Sequence, residues 1–213
     1  MVGLIEVSSH PLVAHQLTRL RDSTTSPAGF RSLVRSLTHL LAHEATADLP
    51  TRPVTIDTPL TRASFSTLAV QLAIVPILRA GLPMADALLE LIPEAVVWHI
   101  GLYRDESTLQ PHAYYARLPR TAPADIALIV DPMLATGGSA LHACRLLHAA
   151  GIRRVKLLCL IAAPEGVQRL HAEFPAVAIH TGALDQRLND VGYIVPGLGD
   201  AGDRLYGTLP TDG

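Results

Sequence analysis

The residues best suited to chemistry stand closest together in the stretch 126–139, IALIVDPMLATGGS. Ile126 to Val130 is an unbroken aliphatic run, the pattern of a strand buried on both faces. It ends on an acid, Asp131, and a short loop then closes with Thr136, Gly137, Gly138 and Ser139. An amphipathic helix follows, with Ala140, Ala143, Cys144 and Leu147 on one face and Gly151 as its stop. A strand, an acid, a loop of small residues and a helix start together aim backbone N–H groups at an anion, most often a phosphate. Asp131 stands at the entrance, where a carboxylate can accept hydrogen bonds from a sugar diol. A Gly-Gly turn after a strand is common, so phosphate binding does not follow from the turn alone. No lysine follows the glycines, which excludes a P-loop, and the spacing is not that of a dinucleotide fingerprint.

Three further segments join it. Ile77-Leu78-Arg79-Ala80-Gly81 again follows a strand directly. Gly81 permits backbone that other residues resist, and Arg79 offers a planar fork suited to phosphate oxygens. Tyr103-Arg104-Asp105-Glu106 opens a long polar stretch and, taken alone, reads as a solvated loop start. Gly197 to Gly202 matches G-x-G-x-x-G, but a dinucleotide site needs that string to open a long helix inside a βαβ unit. Only 11 residues follow Gly202, among them Gly207 and Pro210, which argues against it.

Taken in order, DPMLATGGS, VPILRAG, YRDE and YIVPGLGDAGDRLYGT resemble the motifs of uracil phosphoribosyltransferases, a family of the type I phosphoribosyltransferase class. The resemblance runs from about Glu6 to Thr208. It implies transfer of phosphoribosyl from 5-phospho-α-D-ribose 1-diphosphate (PRPP) to uracil, giving UMP and diphosphate in pyrimidine salvage. By the same resemblance PRPP is held by Asp131, Pro132, Met133, Leu134, Ala135, Thr136, Gly137, Gly138 and Ser139, with Arg79, Arg104 and Asp200 toward the diphosphate. Two acids usually open this loop in the wider class, and here Pro132 takes the second place. Asp131, Arg79 and Arg104 are the implied catalytic residues, and Ile194, Gly199, Asp200 and Ala201 the implied uracil-binding ones. Uracil offers alternating acceptors and donors on one edge, which main-chain groups at Ile194, Gly199 and Ala201 can match. The implied cofactor is Mg²⁺, held mainly by the substrate diphosphate rather than by a protein cage. A GTP effector and a homo-oligomer, dimer or higher, are implied as well; the sequence offers no place for GTP. Family members often have Tyr before Glu-Ala in the N-terminal helix, where this chain has His43.

Two other readings stay open at this point. One is a phosphoribosyltransferase for another base. Purine-specific relatives tend to carry a lysine near the end of the strand after the PRPP helix. Here that strand ends Ile161-Ala162-Ala163-Pro164, and Lys156, the chain's one lysine, lies near its start. The other is a pyrimidine-sensing, RNA-binding regulator on the same fold.

The elements that must position these residues follow from periodicity. The spacing predicts helices over 10–21 and 27–47, the second with Phe30, Leu33, Leu37, Leu40 and Leu41 on one face. Residues 49–70, with Pro50, Pro53 and Pro59 among Thr, Val and Ile, read as a β-arm outside the core. Strands are expected at Leu72–Leu78, Ala95–Ile100, 126–130, Val155–Ala162 and Val177–His180, with helices at Met84–Leu91 and Glu165–Phe174. Residues 103–123 are expected to form a flexible lid or hairpin. The alternation predicts one α/β domain over 1–213: a mostly parallel central sheet flanked by helices, with ligands beyond the carboxyl ends of the strands.

Composition sets the remaining bounds. At 49% hydrophobic and 17% charged, 213 residues can bury a substantial core. The net charge of −2 and the lack of a long basic run speak against a nucleic-acid partner. No apolar run reaches the ~18 residues of a membrane span, and the N-terminus lacks a basic, cleavable leader, so a cytoplasmic protein is expected. Cys144 and Cys159 match neither a redox nor a zinc spacing and read as core thiols. His43-Glu44 begins an HExxH-like string, but Ala47 stands where the second histidine would be.

Overall fold

The computed structural model describes residues 4–104, 111–116, 118–119 and 124–208. The N-terminal part comprises β1 (Ile5–Val7), α1 (Pro11–Arg21), α2 (Pro27–Ala45), β2 (Thr51–Asp57) and β3 (Arg62–Leu68). The middle comprises β4 (Leu72–Leu78), α3 (Leu82–Leu91), β5 (Val96–Val97), β6 (Ile100–Arg104), β7 (Pro111–Ala116), β8 (Ile126–Val130), β9 (Met133–Leu134) and α4 (Gly138–Ala149). The last part is β10 (Arg154–Ala162), α5 (Pro164–Glu173), β11 (Ala178–Leu184), β12 (Arg187–Leu188), β13 (Ile194–Val195) and α6 (Ala201–Tyr206).

The main sheet runs β1-β11-β10-β8-β4-β6-β7, with β5 beside β4 and β9 beside β10. Every pair in it is parallel except β6 with β7. The central strands β4, β8 and β10 are nearly continuous apolar runs because both of their faces are covered. Their side chains alternate between two cores. Leu72, Ile74, Leu128, Val130, Leu158 and Leu160 pack with α1, α2, α3 and α6. Ala73, Val75, Ala127, Ile129, Leu157 and Cys159 pack with α4 and α5 on the other face.

Local chemistry sets the helix starts. Pro11 and Pro27 occupy first-turn positions, where a missing N–H costs nothing. The His10 ring accepts from Leu12 N at 3.1 Å, and Ser26 Oγ from Gly29 N at 3.2 Å. The arm at 51–68 is an antiparallel hairpin, separate from the main sheet, pairing Thr51 with Leu68 through to Asp57 with Arg62.

Two expectations need correction, and one element is added. The strand expected at Ala95–Ile100 is two: β5 pairs with Ala73 and Ile74, and β6 resumes the same register at Ile77 and Leu78. The break falls opposite Val75 and Pro76, and a proline has no N–H for the ladder. The strand expected at Val177–His180 runs on to Leu184 and is internal, because β1 covers its outer edge. A short helix, α6, follows the expected base loop, stopped by Gly207 at φ +68°. Of the expected lid, residues 105–110, 117 and 120–123 lie outside the described residues, as do the side chains of Tyr103 and Arg104.

Candidate active site

The loop after β8 is shaped by β10. Asp131 N donates to Leu158 O at 3.3 Å, and the Pro132 carbonyl accepts from both Leu160 N (3.0 Å) and Ile161 N (3.2 Å). Buried Pro132 thus holds the loop to the sheet through its carbonyl. β9 then pairs with Ile161 and Ala162, and Ala163 N closes the run on Leu134 O at 2.9 Å. Gly137 turns the chain at φ +77°, a left-handed position that favours glycine, and α4 begins with no side-chain cap. The first amides of α4 have no intrahelical acceptors, and Gly137, Gly138 and Ser139 wall a pocket of about 130 Å³ with Thr136 and Leu134. Such a pocket at a helix N-terminus can take an anion.

α5 braces this loop from behind. A Cβ on Gly166 would stand 2.3 Å from Ala135 O, and one on Gly137 would stand 2.9 Å from Gly166 O. Arg169, one turn on, donates to Thr136 O at 3.2 Å. Sequence reading missed Gly166; its one signal is a glycine in the first turn of a predicted helix.

Beside this pocket opens a larger cleft of about 520 Å³, into which Asp131, Met133, Ala135, Ser139, Ile194 and Asp200 all face. These come from two loops some sixty residues apart in sequence. Leu78 and Ala80 line the same cleft and flank Arg79, which is exposed at its rim. Gly81 lets the β4 loop close on β8: a Cβ there would meet Val130 O at 2.5 Å. Arg79 is also steadied by α6. Tyr206 Oη donates to Arg79 O at 3.1 Å, and the guanidinium carbon lies 5.7 Å from the Tyr206 ring centre. Burial pushes the Tyr206 hydroxyl above its ordinary pKa, so it stays a donor at neutral pH. Tyr206 was not singled out from sequence.

The third component is the stretch from Ile194 to Ala201. Asp200 caps α6, its Oδ1 accepting from Asp203 N at 2.9 Å, and still lines the cleft. Gly199 turns at φ +79° in an adjoining groove, and Ala201 is buried at the start of α6. Arg204 secures the segment from inside. Its Nη1 donates to Leu198 O (2.8 Å) and Leu20 O (2.7 Å), its Nη2 to Asp22 O (2.5 Å), and its guanidinium lies 4.5 Å from the centre of the Phe30 ring. Desolvation lowers the Arg204 pKa from its ordinary value, yet the guanidinium remains charged at neutral pH.

Among the expected site residues, the β8 loop and the base loop therefore meet at one cleft, with the Arg79 loop at its edge. A family model for uracil phosphoribosyltransferase matches residues 7–208. The chain belongs to the uracil phosphoribosyltransferase family. A uracil phosphoribosyltransferase of Roseiflexus sp. is 57% identical over 96% of this chain and 98% of its own. One from Enterococcus faecalis is 50% identical over 97% of this chain and 100% of its own. A solved structure of a protein from Aquifex aeolicus, 40% identical, superimposes with a TM-score of 0.93 over 98% of this chain and 100% of that one. A hypoxanthine-guanine phosphoribosyltransferase from Bacillus anthracis, at 12% identity and TM-score 0.51, shares the fold over 75% of this chain and 80% of that one.

Within the uracil phosphoribosyltransferase frame the lone lysine has a structural post. Lys156 Nζ donates to Ala45 O at 2.7 Å and pairs with Asp48, at the start of β10 and away from the cleft. The strand end that faces the site carries Ala162 and Ala163 instead. Cys144 and Cys159 are both buried and free, and burial raises each thiol to about 12. Neither is a nucleophile at neutral pH. Among the described residues no His, Cys, Asp and Glu gather into a group of metal-binding size, and no helix is long and apolar enough to cross a membrane.

Proposed function

We propose that this chain transfers the phosphoribosyl group of PRPP to N1 of uracil, releasing diphosphate and forming UMP, with the residues of this cleft in the following roles. The observation that carries the reading is the meeting of Asp131, Ser139, Ile194 and Asp200 in one cleft beside a glycine-walled pocket at a helix N-terminus.

In the reaction the bond from ribose C1 to the diphosphate oxygen breaks, a bond from C1 to uracil N1 forms, and the N1 proton passes to the released diphosphate or to water. Diphosphate leaves with the electron pair, so positive charge builds on the ribose. The amides and hydroxyls from Thr136 to Ser139 hold the 5-phosphate, Met133 to Ala135 line the pocket beside them, and buried Pro132 anchors the loop from behind. Asp131 takes the ribose diol and offsets the developing ring charge. Arg79 and Arg104 stabilise the departing diphosphate, the kind of preorganised charge that supplies most catalytic power where no covalent intermediate forms. Mg²⁺ fits the same cleft: Asp131 and Asp200 are hard oxygen donors there, and the ion would take its other ligands from substrate phosphates and water. Bound there, it neutralises diphosphate charge. Main-chain groups of Ile194, Gly199 and Ala201 read the uracil edge.

A homo-oligomer belongs to the same reading, supported by the apolar side chains Ile56, Leu60, Phe65 and Leu68 that the 51–68 hairpin exposes. So does activation by GTP, checked by adding GTP to the assay. A cytoplasmic location suits two free core thiols. The test is a PRPP- and Mg²⁺-dependent assay of UMP from labelled uracil, run beside hypoxanthine, adenine and orotate. UMP from uracil alone is expected. Turnover with another base in its place would overturn the uracil assignment.

A further inference from the structure

We infer that Arg21 and Asp185, outside every motif of the site, act as a clamp that positions the base-reading main chain. The inference rests on the reading that residues 194–201 present backbone groups to the base. Asp185 stands just past β11, its amide donating to Ala162 O at 2.8 Å, so its carboxylate is fixed to the end of the sheet. The side chain is only 5% exposed and forms a two-pronged pair with Arg21, the last residue of α1: Nη2 to Oδ1 at 2.6 Å and Nη1 to Oδ2 at 2.7 Å.

Each partner also bonds one and the same residue. Asp185 Oδ2 accepts from Gly197 N at 3.0 Å, and Arg21 Nη1 donates to Gly197 O at 2.7 Å. Both main-chain polar groups of Gly197 are held by a single ion pair. Gly197 itself cannot be another residue. It sits at φ +65°, and a Cβ would fall 2.0 Å from Ile194 O. Val195 O is tied to Gln186 N at 3.0 Å, and Leu198 O to Arg204. Ile194 and Gly199 lie immediately outside this tethered run, and Ala201 just beyond.

Stability is a poor reason for such a pair. Buried ion pairs often contribute no more than apolar residues of similar volume, because desolvation offsets the attraction. Geometry is a better one. A base read by backbone groups has no side-chain rotamer to absorb error, and recognition of this kind needs its groups held within about 0.5 Å. The planar Arg21 fork and the Asp185 carboxylate supply that constraint across the two ends of the chain. Both are positioning residues: neither lines the cleft that Asp131 and Asp200 share, and Arg21 borders the adjoining groove beside Gly197 and Gly199.

The experiment compares Arg21→Lys and the apolar pair Arg21→Met with Asp185→Leu against wild type, measuring KM for uracil and for PRPP, kcat, and thermal unfolding. The apolar pair is expected to fold, to keep KM for PRPP within about twofold, and to raise KM for uracil at least about tenfold, since small misplacement costs heavily. Arg21→Lys keeps the charge without the fork and is expected to fall between. Unchanged KM for uracil in the folded apolar pair would overturn the clamp. So would both KM values rising together with a fall in Tm, which marks a merely structural role. If wild type uses a base other than uracil and the same variants raise that base's KM alone, the clamp stands and the uracil reading falls.

Discussion

Gly166→Ala probes the brace behind the loop after β8 without replacing any residue that lines the site. The added Cβ would stand 2.3 Å from Ala135 O and 3.0 Å from Leu134 O, where ordinary contact begins at 3.4 Å. Both obstacles are backbone, so no side chain can rotate away. Leu134 O is already bonded to Ala163 N at 2.9 Å, and β9 is paired to β10, so the loop cannot retreat along the sheet. Either α5 lifts or the loop moves into the pocket that Gly137 and Gly138 wall. Overpacking of this kind costs about 1–3 kcal/mol, and for a chain of this size each kcal/mol lowers Tm by about 2–4 °C, so a fall of about 2–12 °C is expected. The part of the strain released into the loop appears in KM for PRPP, with about 1.4 kcal/mol corresponding to tenfold. Scanning calorimetry measures the first effect and PRPP titration at saturating uracil the second, with KM for uracil as the internal control. A Gly166→Ala protein with wild-type Tm and wild-type KM for PRPP would refute the close packing of α5 on this loop.

Arg79→Ala is expected to lower kcat by about 10²–10³ while leaving Tm unchanged, since the side chain is exposed and in the proposed mechanism its charge acts on the leaving group; loss of Tm without loss of kcat in rate and melting measurements would contradict that role. Asp131→Asn is expected to produce a comparable loss in kcat with PRPP still bound, read by titration calorimetry beside single-turnover rates; full activity would remove Asp131 from the chemistry. Both thiols, pushed up to about 12 by burial, should resist a thiol reagent in the folded protein and react fully in denaturant; rapid labelling of the native protein would disagree. The Asp48 carboxyl is held below its ordinary 3.8, first by its hydrogen bond from Lys156. Its contribution is therefore complete above that value and lost as pH falls through the lowered folded pKa. The Tm gap between wild type and Asp48→Asn, small because the side chain is 63% exposed, should hold from neutral pH to about pH 4 and close below it. A gap that widens in acid would reverse the sign.

How much was legible in the chain depended on whether a signal is local. β4 and β8 begin and end where the aliphatic runs do, because a strand covered on both faces needs an unbroken apolar stretch. Asp131 and the glycines after it were readable for the same reason: strand end, turn and helix start are adjacent in sequence. The three-residue β1 was not, since Ile5–Val7 is too short for any period and is a strand only because β11 offers it an edge. Gly166, Tyr206, Arg21 and Asp185 escaped for a related reason. Each acts on a loop far from it in sequence, and in isolation reads as an ordinary helix or loop residue.

Those distant contacts share a direction. The loop after β8 hangs from the sheet, whose ladders fix it. The base loop has only the two-residue pairing of β12 with β13 and needs another frame. The junction of α1 and α2 supplies it. Arg21 holds Gly197, the carbonyls of Leu20 and Asp22 take the Arg204 guanidinium, Phe30 faces it, and Arg31 donates to Leu205 O at 2.7 Å. The N-terminal helices are therefore more than a cover for one face of the sheet. They are the scaffold on which a base loop without strong sheet support keeps its shape. Truncating α1 should then impair base binding before it impairs binding at the phosphate pocket, which α4, α5 and β10 build without it.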